Sequence, residues 1–337
     1  MDIFDFLGIT QLLSWTDKKL SDQNNSVQSP LPNTKFSYRP QNFDEFISQE
    51  KAKDKIKLTI ELINKGFPRH FLLTGGAGLG KTSMANIIAN ELGFNFVSYV
   101  GSSFNIFTMQ DFLVKNQDGK FGDKTKPNLL FIDEIAGVDR KTLAYMLPII
   151  EDFKLNGLDL RKFCLVGATT DNYVLINKCS PFVDRIHCHI TMEDYSSEDI
   201  KNILIQYNDQ VHRANISSEV YDILSKNVRF TPRIAISYFD FLVACGSLNK
   251  VLKMNRIIMN GLTDLDFKIL NHLKLAKGKS VGEETLSIIA NISRIEYKTT
   301  VEPYLLRQEL LSRTSSGRII TDRGLEFLKE VGIENGY

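Results

Sequence analysis

The chain has little cysteine: four in 337 residues, Cys164, Cys179, Cys188 and Cys245, with no C-x-x-C pair among them. That excludes a disulfide scaffold and fits a reducing compartment with structural thiols. No run approaches the roughly 20 apolar residues that a spanning helix needs. Asp2 and Asp5 stand where a secretory leader carries basic residues. The expectation is a cytoplasmic protein with no membrane partner. Charge of one sign is lacking too: 41 Lys and Arg face 40 Asp and Glu, a formal +1, so a nucleic-acid surface would have to be a local patch. There is one tryptophan, Trp15, and no internal repeat. What is present, 43% hydrophobic and 24% charged residues, supports two or three ordinary domains and excludes disorder.

The chain reads as four segments. Residues 1–35 hold a short apolar stretch (Ile3, Phe6, Leu7, Leu12, Leu13, Trp15) and then a polar, proline-containing tether. The apolar stretch either docks a partner or folds back on the body. From 36 to 192, strand-like runs (71–73, 94–99, 129–132, 163–166) alternate with helical stretches, which predicts an α/β fold, a parallel sheet with helices on both faces. Residues 193–261 read as an all-helical domain, with helices expected over 199–207, 219–225, 233–245 and 248–259. From 262 to 337, about three helices and then short strands around Ser315, Ser316 and Gly317 predict a winged helix.

The strongest local signal is GGAGLGKTS, which fits G-x-x-x-x-G-K-[ST] between an apolar strand and a helix. Backbone amides and a helix N-terminus would face an anion there. Gly75, Gly78, Gly80, Lys81, Thr82 and Ser83 are the candidate nucleotide-binding residues, with Lys81 on the terminal phosphates and Thr82 on Mg²⁺. The second half of such a site is an apolar strand ending in acid, and LLFIDEI supplies it. Asp133 would complete the Mg²⁺ shell, and Glu134 is placed to orient and deprotonate a water, which favours ATP hydrolysis over binding alone.

At these residues the chain resembles the AAA+ ATPases, and more narrowly the RuvB-like Holliday junction branch migration ATPases, over about 36 to 328. The resemblance is carried by YRPQNFDEFISQEKAK, GGAGLGKTS, LLFIDEI, LPIIEDFKL, CLVGATTDN, SPFVDRI, FTPRIA and VEPYLLRQELLSRTSSGRIITDRG. It implies an AAA+ core, an all-helical lid and a C-terminal winged helix, with ATP and Mg²⁺ as ligands. It implies that Thr170 contacts the γ-phosphate or attacking water and that Arg185 is an arginine finger reaching a neighbouring subunit's site. It further implies that Arg233 couples the lid to the nucleotide and that Arg39, Phe46 and Ile47 line the adenine side. The activity implied is that of a helicase or translocase acting on four-way or duplex DNA in recombination and repair, as a homo-oligomeric ring, six-membered by resemblance.

Three departures matter. Val183 stands where the family usually has a second arginine, and Ala136-Gly137-Val138 replaces H-R-L after the acidic pair. Between Leu155 and Phe163 only seven residues remain where the family projects a long hairpin onto its partner RuvA. A tight turn at Asn156-Gly157 is expected, and a RuvA-type partner is not. The N-terminal segment loosely resembles peptides that dock on sliding clamps, which makes a clamp or another loader its candidate partner. His187, Cys188 and His189 read as an alternating strand rather than a metal site.

In the winged helix, Arg313, Arg318 and Arg323 flank the wing and are the candidate DNA contacts, reaching phosphates without reading bases. Residues 263–337 nevertheless hold eleven basic and eleven acidic side chains, so the Lys268 to Lys279 lysines can equally be a solvated face. The competing functions are a clamp-loader-like ATPase, against which the winged helix argues, and a nucleotide-switched DNA-binding adaptor, against which Lys81, Asp133, Glu134 and Arg185 argue. The Asn-, Lys- and Ile-rich composition fits an AT-rich bacterial or phage genome, so the compartment expected is a bacterial cytoplasm, or the host cytoplasm for a phage-encoded protein.

Overall fold

A computed structural model describes residues 38–229 and 231–330; the apolar N-terminal segment and its tether lie outside these residues. The described residues fall into two compact units, one of 38–203 with 231–233 and the other of 204–229 with 234–330.

In the first unit the order is α1 (Glu50–Asn64), β1 (Phe71–Thr74), α2 (Lys81–Leu92), β2 (Asn95–Val100), α3 (Ile106–Gln117), β3 (Asn128–Asp133) and α4 (Arg140–Asp152). A short hairpin, β4 (Lys154–Leu155) and β5 (Leu158–Asp159), precedes β6 (Phe163–Thr169), α5 (Asn172–Asp184), β7 (Cys188–Thr191) and α6 (Ser197–Tyr207). Strands β2-β3-β6-β1-β7 make one all-parallel sheet. Its strands are apolar almost end to end because both faces are covered. Leu72, Leu130, Ile132 and Leu165 point into the cluster filled by α3, α4 and α5. The alternate residues Phe71, Leu73, Leu129, Phe131 and Val166 are equally buried, on the side where α1 packs on β7 and α2 on β2, β3 and β6. Because β6 lies between β1 and β3, the strand order puts the C-terminal ends of all three side by side, the place where such sheets hold ligands.

The hairpin ahead of β6 turns at Asn156 (φ 50°) and Gly157 (φ 82°), and its arms pair only Lys154 with Asp159 and Leu155 with Leu158. Positive φ at both central residues is what Asn-Gly supplies. The strand expected over the His187-Cys188-His189 run is β7, with Cys188 and Ile190 buried and His189 outward.

The second unit continues from α6 through a π turn (Asn208–His212) to α7 (Ser218–Lys226), α8 (Pro232–Cys245) and α9 (Leu248–Met254). The helix expected over 248–259 stops at Met254. Arg256 takes φ 57°, and β8 (Ile257–Met259) folds back on β9 (Leu262–Thr263) across Asn260 (φ 47°) and Gly261 (φ 73°). The β-branched pair Ile257-Ile258 beside an Asn-Gly turn prefers a ribbon to a further helical turn.

Then follow α10 (Asp264–Leu275), α11 (Glu283–Ala290), α12 (Arg294–Glu296), a π turn (Tyr297–Val301), α13 (Glu302–Arg307), the wing strands β10 (Leu311–Thr314) and β11 (Gly317–Ile320), and α14 (Asp322–Glu330). Val281 bridges Arg318 as a third wing strand, and Tyr297, Leu270, Leu305 and Leu328 fill a separate core. The helix expected over 296–308 is broken by the π turn: Pro303 has no N–H to donate, and the Glu302 N–H reaches back to Tyr297 O instead. The lid and the winged helix, expected as separate domains over 193–261 and 262–337, cluster as one unit, while 193–203 and 231–233 belong with the sheet.

Candidate functional site

The first α2 residue, Lys81, follows a loop in which Gly80 takes φ 95°. A Cβ at Gly80 would lie 2.9 Å from Phe46 Cζ, so glycine is required both by the backbone and by the ring above it. Tyr195 donates its hydroxyl to Leu79 O at 3.1 Å and closes the loop from the other side. Gly78 (φ 79°) is equally confined: a Cβ there would meet Thr231 Cγ2 at 2.5 Å and Arg233 Cβ at 3.3 Å. The loop glycines, Phe46 and Arg233 thus lie together. Phe46 is buried, Ile47 half-buried, and Arg39 and Arg233 exposed.

Lys81 Nζ donates to Gly75 O and Gly76 O, both at 2.8 Å. Desolvation lowers its pKa from the ordinary lysine value, and the nearby Glu134 and Asp133 carboxylates oppose that shift. It is a cation resting on carbonyls at the mouth of a helix N-terminus, which suits a phosphate. Thr82 Oγ1 stands 3.5 Å from Asp133 Oδ2, wide of a tight hydrogen bond, so a hydroxyl and a carboxylate face each other as hard oxygen donors.

Glu134 follows Asp133 in a left-handed conformation (φ 51°, ψ 54°) that swings its side chain across to β6. There Oε1 accepts from Thr169 Oγ1 at 2.9 Å and from both Thr170 N and Oγ1 at 3.1 Å. Gly101 makes room for this turn: a Cβ there would lie 2.2 Å from Glu134 O. Thr170 was expected at the site; Thr169 and Gly101 were not. Sequence holds a weak signal for Thr169, the doubled threonine that ends an apolar strand, and none for Gly101.

Arg185 lies just past α5, which kinks at Cys179 (φ −160°, ψ 80°) ahead of Pro181. Its Nε pairs with Glu151 Oε2 at 2.5 Å and Nη1 donates to Pro181 O at 2.9 Å, so the finger candidate is held within its own subunit by α4. Val183, in the place of the family's second arginine, is packed in the core. Lys178 reaches the Ala136-Gly137-Val138 segment after Glu134: its Nζ donates to Ala136 O and, at 2.9 Å, to Val138 O.

In the wing the expectation for Arg318 is corrected. Its side chain is 13% exposed and pairs with Glu302 Oε1 at 2.5 Å and Glu283 Oε2 at 2.8 Å. Glu302 is fully buried and also takes Arg313 at 2.7 Å, while Glu283 also takes Arg294 and Lys298. A buried carboxylate needs such partners, so Arg318 holds the wing to the helices behind it. Arg313 and Arg323, with side chains 57% and 60% exposed, remain on the surface, Arg323 beside Glu309. Arg294 and Lys298 were missed, because only folding brings them beside the wing.

The profile of the Holliday junction DNA helicase RuvB P-loop domain matches residues 38–192, and that of the RuvB C-terminal winged helix domain matches 259–329. The Holliday junction branch migration complex subunit RuvB of Fusobacterium nucleatum is 31% identical, covering 88% of this chain and 94% of the relative. That of Mycoplasma genitalium is 30% identical, with coverage of 86% and 97%. The solved structure of the Thermotoga maritima RuvB Holliday junction branch migration motor aligns with a TM-score of 0.71 at 30% identity, over 86% of this chain and 98% of that one.

Proposed function

The chain belongs to the RuvB family, and from that premise we propose that it is an ATP-driven motor that moves Holliday junctions along DNA in recombination and repair. The observation that carries the reading is the Glu134 carboxylate, held by Thr169 and Thr170 at the strand ends beside the phosphate loop. Lys81 leaves its two carbonyls for the terminal phosphates, the loop amides cradle them, and Phe46 with Ile47 and Arg39 bounds the base. Thr82 and Asp133 would hold Mg²⁺, which would offset phosphate charge. Glu134 orients the attacking water and accepts its proton, and Thr170 shares that carboxylate, so the water and the γ-phosphate are read together. Arg185 exchanges Glu151 for a neighbouring subunit's nucleotide, which makes turnover a property of a ring of copies, six by family likeness.

The protein acts without a RuvA docked on the β4–β5 hairpin, whose two-residue arms cannot project an apolar tip. A clamp or other loader reached through the N-terminal segment is the replacement we favour. DNA runs past the surface arginines Arg313 and Arg323. Glu134→Gln tests the chemistry: the variant should bind ATP and assemble as wild type does while turnover falls at least ~100-fold. Retained turnover would remove Glu134 from the reaction.

A further inference from the structure

Four positions before Arg233 stands a second arginine with a different set of partners. Arg229 belongs to the unit that holds the lid and the winged helix, and its side chain is 17% exposed. Nε donates to Gly261 O on the β8–β9 turn at 3.1 Å, Nη1 to Thr300 O at 2.9 Å, and Nη2 pairs with the fully buried Asp266 on α10. The guanidinium also lies over the Tyr304 ring, 4.7 Å from its centroid, and the Tyr304 hydroxyl donates to Asn260 O. One side chain therefore ties the lid to the first helix of the winged domain and to the π turn and second half of its broken third helix. Thr300 lies in the π turn, where the hydrogen-bond ladder departs from the α-helical register.

After Arg229 the chain enters the nucleotide unit for only three described residues, Thr231–Arg233, which confine Gly78 of the phosphate loop. Four residues of chain reach at most about 14 Å, and Pro232 fixes one of the dihedrals between. Arg229 and Arg233 are thus joined through only three intervening residues, one of them a proline.

We propose that Arg229 is a positioning residue that transmits the nucleotide state at the phosphate loop to the helix of residues 294–307. The inference rests on the motor reading, in which DNA runs past Arg313, whose partner Glu302 lies on that helix. Its physical content is a rigid fork: a planar guanidinium with fixed donor directions moves Thr300 O, Asp266 and the Tyr304 ring together.

The test uses the full chain and Arg229→Lys, which keeps a cation for Asp266 and loses the fork. Amide hydrogen exchange over 297–307 is measured with and without a non-hydrolysable ATP analogue. In wild type the analogue changes exchange there about tenfold; in R229K that response falls below about twofold while the 75–83 segment still responds. A double variant, Arg229→Met with Asp266→Leu, removes the buried pair as a unit, so a loss there cannot be laid to an orphaned carboxylate. An undiminished response at 297–307 in either folded variant, or none in wild type while 75–83 responds, overturns the proposal. A wild type that responds at 297–307 but moves no junction counts against the motor reading alone.

Discussion

Arg318 donates to Glu302 across the wing at 2.5 Å, and with its second contact to Glu283 that keeps its side chain buried, whereas Arg313, on the same Glu302, and Arg323 stay mostly exposed. Glu302 is fully buried, so burial pushes its carboxyl up; the hydrogen bonds and charge of Arg313 and Arg318 outweigh that and leave it below the usual carboxylate range. Arg318→Ala is expected to cost about 3 kcal/mol or more in denaturant unfolding, because it strips a partner from a buried carboxylate. Arg323→Ala, on an exposed pair, is expected to cost under about 1 kcal/mol and to lower the salt slope of DNA binding by about one. Equal stabilities of the two variants would contradict this division.

His70 sets a pH limit on the fold. Its Nδ1 accepts from Leu165 N at 3.0 Å while Nε2 donates to Ile150 O at 2.9 Å, so the ring is wired as neutral. Burial lowers its pKa from 6.5 to about 4, which means that the unfolded chain takes up a proton that the folded chain refuses. The stabilisation is complete above about pH 6.5 and is lost as pH falls toward 4, by about 3 kcal/mol for a group this buried. Urea unfolding of wild type from pH 7 to 4.5 should show the loss, and NMR should find the ring unprotonated at pH 5.5. A protonated ring at that pH contradicts the assignment.

The proposed role of Arg185 between subunits is tested by mixing variants. Arg185→Ala alone and Lys81→Ala alone should each lose about 1,000-fold in ATP turnover. An equimolar mixture should recover part of the activity, since some sites then combine an intact phosphate loop with a neighbour's intact finger. Mixtures no more active than either variant would place Arg185 outside the neighbour's site.

The hairpin predicts independence from RuvA. Pull-downs with RuvA of a RuvB-bearing bacterium should capture no stable complex, because Leu158 is the only large apolar side chain in the two-residue arm it shares with Asp159. A stable complex would overturn the loading proposal.

Much of this was legible in the chain because it is local. The phosphate loop needs glycines at fixed offsets before a lysine, and the acidic pair needs only an apolar strand before it. The Asn156-Gly157 turn likewise carries its own conformational requirement. What was not legible depends on pairs far apart in sequence: Glu134 with Thr169, Arg185 with Glu151, Arg318 with Glu302 and Glu283, and Arg229 with Asp266 and Thr300. An arginine beside a wing reads the same whether it points at phosphate or at a buried carboxylate. The early end of α9 was missed for a different reason: Ile257 and Ile258 fit an apolar helical face as well as a ribbon, and only pairing with β9 decides between them.

The most direct test of the account is dissociation of a synthetic four-way junction by purified wild type and by Lys81→Ala, with ATP and without RuvA. The account predicts ATP-dependent conversion of the junction to duplex products by wild type and none by K81A. A wild type that hydrolyses ATP in the presence of the junction yet leaves it intact would contradict it.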